Sequence, residues 1–201
     1  MLSLSMSCVR LKYLSSAIRS ILYHRPVSKT TIDLLVLETP SHQCRDFKEF
    51  KQILCQMILT RLIKDTFAAK RVLQFSTRNR PFIHVDYSYQ IFNFIENLNA
   101  SFYNIMMMAY VRRNYPHRAI TFYELMLYRE VGRPNVYTYP FLVEACAIRK
   151  SKFEGKQMHN HLLKLGFDSD VHVRSTFVDM YADCYMAEDA LKIFNEGPFM
   201  G

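Results

Sequence analysis

The chain has 201 residues, half of them apolar and 14% aromatic, with only five glycines and a net charge of +8 at neutral pH. This composition excludes a disordered linker and supplies enough apolar side chains for one domain, or a short array of repeats, around a sizeable core. The five cysteines, Cys8, Cys44, Cys55, Cys146 and Cys184, are odd in number and widely spaced with no C-x-x-C pair, which argues against a disulfide framework or a zinc ribbon and fits a reducing compartment.

Residues 1–32 read as a segment apart. They carry Arg10, Lys12, Arg19, Arg25 and Lys29 and no acid, so five of the eight net charges sit there and the rest of the chain is only mildly basic. At a helical period Leu11, Leu14, Ile18, Ile21 and Leu22 share one side, with Lys12, Arg19 and Arg25 off it. A basic, serine-rich amphipathic start predicts an organellar transit peptide over 1–30, cleaved or disordered in the mature protein, and arginine beside serine favours the mitochondrion over the chloroplast. Lys12 and Arg19 interrupt the apolar core that a secretory signal needs. Elsewhere the longest apolar run, around Ile105 to Val111, is far shorter than the roughly 18 residues of a membrane span, so no membrane insertion is expected.

The body has a period. Ala119 in HRAITFYELM, Gly155 in FEGKQMHNHLLK and Ala190 in EDALKIFNEG stand 36 and 35 residues apart. Ahead of each small residue lies an apolar stretch with helical i, i+1, i+4 spacing: Met106, Met107 and Tyr110, then Leu142, Val143 and Cys146, then Phe177, Val178 and Tyr181. Behind each lies a second stripe: Ile120, Phe122 and Tyr123, then Met158, His159 and Leu162, then Leu191, Ile193 and Phe194. Helix-ending residues close the units at Gly132-Arg133-Pro134-Asn135, Gly166-Phe167-Asp168 and Gly197-Pro198. Each unit is therefore predicted to be a helical hairpin that buries its stripes by stacking on its neighbours, and the fold class is all-α.

The same wording resembles the pentatricopeptide repeat family, in the plant subgroup that alternates three motif lengths. Residues 100–135, with NIMMMAYVRRNYPHRAITFYELM and a closing RPN, resemble the standard motif. Residues 136–170, with VEACAIRKSKFEGKQMHNHLLKLGFDSD, resemble the long one, and residues 171–201, with FVDMYADCYMAEDALKIFNEGP, the short one. Upstream, residues 66–99 resemble a worn short motif with a loop insertion around Thr77 to Phe82, and residues 31–65, with FKEFKQILCQMILTRLIKD, a worn long motif. Tetratricopeptide repeats share the period, but their early Trp is absent from a chain that has no Trp.

The resemblance implies a right-handed superhelical solenoid whose first helices line a groove for single-stranded organellar RNA, about one base per unit. In the family the fifth and closing residues of a unit meet the base edge, which implies Asn104 with Asn135 and, for these carboxamides, a pyrimidine. Pro140 with Asp170 implies a spacer unit, and the resemblance implies Ser175 as the base-reading residue of the last unit. Lys70 with Asn99 departs from the usual pairs, and Lys70 is expected at phosphate; Arg112 and Arg113, which follow the first helix of the standard unit, are either phosphate contacts or a solvated turn. At the second position, where an aliphatic residue is usual, Ser101 is a poor substitute, while Phe67, Tyr137 and His172 can stack on bases.

No phosphate loop, metal set or catalytic cluster is legible. His159 and His161 are two residues apart and so point about 200 degrees from each other on a helix, and the H-x-E with C-x-x-C pattern of zinc deaminases is absent. The expected protein is a non-enzymatic RNA-binding array without cofactor or metal that acts in transcript editing or processing with a separate enzyme. The alternative is a protein-binding solenoid, or a shortened remnant with little RNA affinity.

Overall fold

A computed structural model describes residues 46–78, 83–130, 132–167 and 169–196. The expected transit segment, the start of the 31–65 repeat and most of the expected loop insertion lie outside those residues. Among the described residues all regular structure is helical. The chain divides after Asn97 into two compact units.

The first unit holds α1 (Phe47–Leu59), a 3-10 turn (Leu62–Lys64), α2 (Thr66–Thr77) and α3 (Val85–Phe94). Asp46 starts α1 by accepting the Glu49 amide at 2.8 Å, and Asp65 starts α2 by accepting that of Ala68 at 2.8 Å, each satisfying a donor that a helix start leaves free. α1 and α2 share an apolar seam in which Phe50 and Phe75 stack with centroids 5.4 Å apart. α2 and α3 pack together, and the buried Ser88 hydroxyl donates to the Ser76 carbonyl at 2.9 Å.

The second unit is three helix pairs: α4 (Ala100–Arg112) with α5 (Pro116–Arg129), α6 (Tyr139–Ile148) with α7 (Lys152–Lys164), and α8 (Val171–Asp183) with α9 (Ala187–Asn195). The first helices pack in succession, α4 on α6 and α6 on α8, while α5 and α7 each touch both their own first helix and the next one. Met106, Met107, Tyr110, Leu142, Val143, Cys146, Phe177 and Tyr181 are all buried in these contacts.

The turn inside each pair is the same turn three times. Asn114, Lys150 and Tyr185 take left-handed φ values of 60°, 52° and 57°. The amide after each reaches back five residues, Tyr115 to Tyr110 at 2.8 Å, Ser151 to Cys146 at 3.0 Å and Met186 to Tyr181 at 2.9 Å. A side chain in this region costs roughly 1–2 kcal/mol, which the returned hydrogen bond and the packing of the pair offset.

The second stripe departs from expectation in the last pair. Phe122, Leu162 and Ile193 are buried, but Leu191 is 60% and Phe194 70% exposed. α9 lies against α8 through Ala190 and Ile193, and Leu191 and Phe194 fall off that contact. In α5 and α7 the corresponding side is covered by the first helix of the next pair.

Small residues sit where elements approach. Ala119 and Gly155 are buried, and a Cβ on Gly155 would stand 2.5 Å from the Met180 sulfur on α8. At Gly132 an added Cβ would stand 2.8 Å from the backbone nitrogen of Ala100, at the start of α4. A methionine end can swing aside, whereas a helix start cannot. Gly132→Ala should therefore lower stability by about 1–3 kcal/mol. In Gly155→Ala a helix-propensity gain of about 1 kcal/mol offsets a clash that a flexible side chain can relieve. Urea denaturation followed by circular dichroism measures both, and an unchanged midpoint for Gly132→Ala would contradict the close approach.

Candidate nucleic-acid interface

An Asn or Asp stands ahead of each first helix, at Asp65, Asn99, Asn135 and Asp170, and the local fold uses each in the same way. The Asn99 side-chain oxygen accepts the Ser101 amide at 3.0 Å, Asn135 accepts that of Tyr137 at 3.1 Å, and Asp170 accepts those of His172 and Val173 at 2.9 and 3.0 Å. With Asp65 on Ala68, all four cap the chain that follows. After Asn135 a turn over 136–138 comes first, closed by the Thr138 amide on the Asn135 carbonyl at 2.8 Å. α6 then starts at Tyr139 with Pro140 in its first turn, where a missing N–H costs nothing.

This seam brings Asn104 and Asn135 together. The Asn104 Nδ2 donates to Asn135 Oδ1 at 3.3 Å, and the Thr138 hydroxyl lies 2.9 Å from Asn104 Oδ1 and 3.2 Å from Asn135 Oδ1. The Asn135 amide in turn donates to Thr138 Oγ1 at 3.1 Å. Thr138 is fully buried and Asn104 only 9% exposed, while Asn135 is half-buried. Both carboxamide oxygens accept inside this ring of bonds, that of Asn104 at a site 9% exposed, whereas three of the four side-chain N–H groups make no bond in it, so the capacity the pair retains is chiefly that of a donor.

The sequence has relatives that share this repeat. Residues 98–148 match the PPR repeat family. A chloroplastic pentatricopeptide repeat-containing protein of Arabidopsis thaliana is 32% identical over 158 residues, 78% of this chain and 21% of the relative. A second from the same plant is 33% identical across 78% of this chain and 26% of its own length, and a mitochondrial one is 31% identical across 90% and 28%. The chain belongs to the pentatricopeptide repeat family. It spans about a quarter of the length of the curated relatives it matches.

Within this pentatricopeptide array the other expected site residues are placed as follows. Phe67 is 60% exposed on α2 with the Arg71 guanidinium 5.2 Å from its ring centre, and Tyr137 is 73% exposed on the seam turn. His172 is exposed at the start of α8, and Ser101 is half-buried. Ser175 is exposed, with its hydroxyl turned back onto the His172 carbonyl at 2.9 Å. Lys70 is half-buried on α2 of the first unit, whereas Asn99 belongs to the second. Asn104 and Asn135 are thus the expected reading pair that the structure joins, and the residues that would close Ser175's unit lie outside those described. Arg112 is exposed at the end of α4, near Glu144, whose carboxyl is pushed up by burial and pulled back by that guanidinium.

Thr138 is the residue that sequence reasoning missed. Its signal was present as Asn-Val-Tyr-Thr, an Asn-x-x-Thr at a helix start in which side chains and backbone can satisfy one another.

Among the described residues the cysteines and the two histidines of α7 serve packing contacts. Burial first, then the Glu154 carboxylate, pushes the Cys146 thiol up to about 11, and burial raises those of Cys55 and Cys184 as well, so all three stay protonated and weakly nucleophilic at neutral pH. His159 meets Tyr181 at 3.0 Å and Phe177 on α8, whereas His161 faces the Tyr139 ring on α6. The two histidines serve different contacts.

Removing the Asn135 side chain would strip the acceptor from both Tyr137 and Asn104. Asn135→Ala should cost about 1–2 kcal/mol, and Asn135→Asp, which keeps the oxygen, clearly less. Chemical denaturation of the three proteins checks this, and equal stability of Asn135→Ala and wild type would contradict the capping role.

Proposed function

We propose that this chain binds single-stranded organellar RNA and acts in transcript editing or processing, with the chemistry supplied by a separate enzyme. The observation that carries the reading is the Asn104–Asn135 pair. Two carboxamides held 3.3 Å apart, with donor capacity to spare, suit the acceptors of a base edge. Exposed aromatics at the second positions, Phe67 and Tyr137, add stacking surface, worth about 1–3 kcal/mol per base. The order of standard, long and short wordings across 100–201 supports a place in the plant subgroup with alternating motifs.

The acid-free basic start and relatives named chloroplastic or mitochondrial support an organellar site, and the arginine-with-serine composition favours the mitochondrion. Recovery of the tagged full chain in the cytosol alone would reject that assignment. No helix among the described residues is long and apolar enough to cross a membrane.

A protein-binding solenoid is the second reading, favoured by the exposed apolar side chains of the second helices, Tyr128 at 87%, Phe153 at 72% and Phe194 at 70%.

Titration of the full chain with short single strands, carrying a pyrimidine or a purine at one position, separates the two at low and high salt. Wild type should prefer the pyrimidine strand, and Asn104→Ala should narrow that preference more than it weakens binding overall. Lys70, Arg112 and Arg113 substitutions should instead lower the salt dependence, each phosphate contact contributing a slope of about 0.7 on a log–log plot. Absence of binding at low salt, or equal binding of both strands, would reject base reading.

A further inference from the structure

We propose that Thr138 is a positioning residue for base reading: its buried hydroxyl holds the Asn104 carboxamide with the oxygen turned inward and the nitrogen toward Asn135, so the pair offers a base N–H donors only. The inference rests on the RNA-reading function proposed above and concerns a side chain that belongs to the following helix pair.

The orientation follows from a chain of forced choices. Asn135 Oδ1 accepts the Tyr137 backbone N–H at 3.1 Å, so this oxygen, and not the nitrogen, occupies that position. Whatever faces the same oxygen at 3.3 Å must donate, which selects Asn104 Nδ2. A carboxamide turned the other way would set two acceptors against each other with no proton between them. With its nitrogen so placed, Asn104 presents Oδ1 to the Thr138 hydroxyl at 2.9 Å. One lone pair of that hydroxyl is occupied by the Asn135 amide at 3.1 Å, which leaves its single proton to be given away. Asn135 Oδ1 is also within reach at 3.2 Å. Giving the proton there would strand the Asn104 oxygen at a site 9% exposed, and a buried unpaired acceptor costs about 1–3 kcal/mol. The shorter bond to Asn104 therefore holds the proton.

The consequence is chemical. Within the pair one N–H of Asn104 and two of Asn135 remain, all donors. Cytosine presents two adjacent acceptors, O2 and N3, beside its N4 donor, and uracil presents O2 and O4 on either side of its N3 donor, whereas guanine presents two adjacent donors, N1 and N2, and a single acceptor, O6. A pair locked in the donor state matches the two adjacent acceptors of cytosine and meets two donors at guanine, where O6 alone accepts. A pair free to turn over would accept from it.

The test compares wild type, Thr138→Val and Thr138→Ser as full chains. Valine keeps the shape and removes the hydroxyl, and serine keeps the hydroxyl. In titrations with single strands bearing cytosine or guanine at one position, wild type and Thr138→Ser should favour cytosine by about fivefold or more, the size of one net hydrogen bond. Thr138→Val leaves only the 3.3 Å bond to Asn135 to orient the Asn104 carboxamide and should lower the ratio by about twofold or more with little change in mean affinity. In the free proteins, nitrogen-15 NMR should find slow hydrogen exchange at the Asn104 side-chain amide in wild type and Thr138→Ser, and faster exchange in Thr138→Val. A Thr138→Val protein with the wild-type ratio, or with unaltered Asn104 exchange, would overturn the positioning role. Wild type without base preference, its Asn104 exchange still responding to Thr138→Val, would instead overturn the reading on which that role depends.

Discussion

A first helix of this array is apolar on more than one side, and only its neighbours in the stack can cover it. α4 buries Phe102, Tyr103, Ile105, Met106, Met107, Ala109, Tyr110 and Val111, far more than the single stripe of a surface helix. α5 covers one side and α6 another, and α6 in turn touches α4, α5, α7 and α8. Burial at roughly 25 cal/mol per Å² of apolar surface drives this stacking, but it does not fix the spacing. The spacing is set by polar hardware repeated at each unit: a left-handed turn at Asn114, Lys150 and Tyr185, and an Asn or Asp cap ahead of each first helix.

The same hardware makes the site. Because the cap of one helix pair falls beside the first helix of the pair before it, Asn135 arrives next to Asn104 as a by-product of closing the seam. The caps at Asn99 and Asp170 show that a side-chain oxygen at this place belongs to folding. What Asn135 has and Asp170 lacks is a side-chain nitrogen that folding leaves over, and unlike Asn99 it meets a second carboxamide, that of Asn104. Local structure, packing and the proposed recognition therefore meet in one residue type, and a substitution there acts on stability and on reading together.

Much of this was legible in the sequence, and the failures have physical causes. The stripes Met106, Met107, Tyr110 and Leu142, Val143, Cys146 show as helical spacing because both ends of each contact lie within regular helices. Leu191 and Phe194 fit the same spacing yet are exposed, since periodicity assumes a covering neighbour and α9 meets α8 on another side. Gly132 reads as a helix breaker, but it serves through its close approach to Ala100, a contact between residues 32 apart that no local pattern reports. Lys150 and Tyr185 adopt a conformation usual for glycine because a returned amide holds them there. The meeting of Asn104 and Asn135 was reached through the family resemblance, whereas Thr138 becomes visible only once the turn after Asn135 is folded against α4.

Stacked helix pairs with a joined carboxamide pair at one seam suit a ligand with a repeating backbone and variable edges, which the proposed single-stranded RNA provides. The most direct test of that claim is ultraviolet crosslinking of the tagged full chain in isolated organelles, followed by sequencing of the attached RNA. The predicted result is a restricted set of mitochondrial transcripts, crosslinked in single-stranded stretches that share a pyrimidine at one fixed position. Recovery of no RNA above an untagged control, or of transcripts without any shared position, would contradict it.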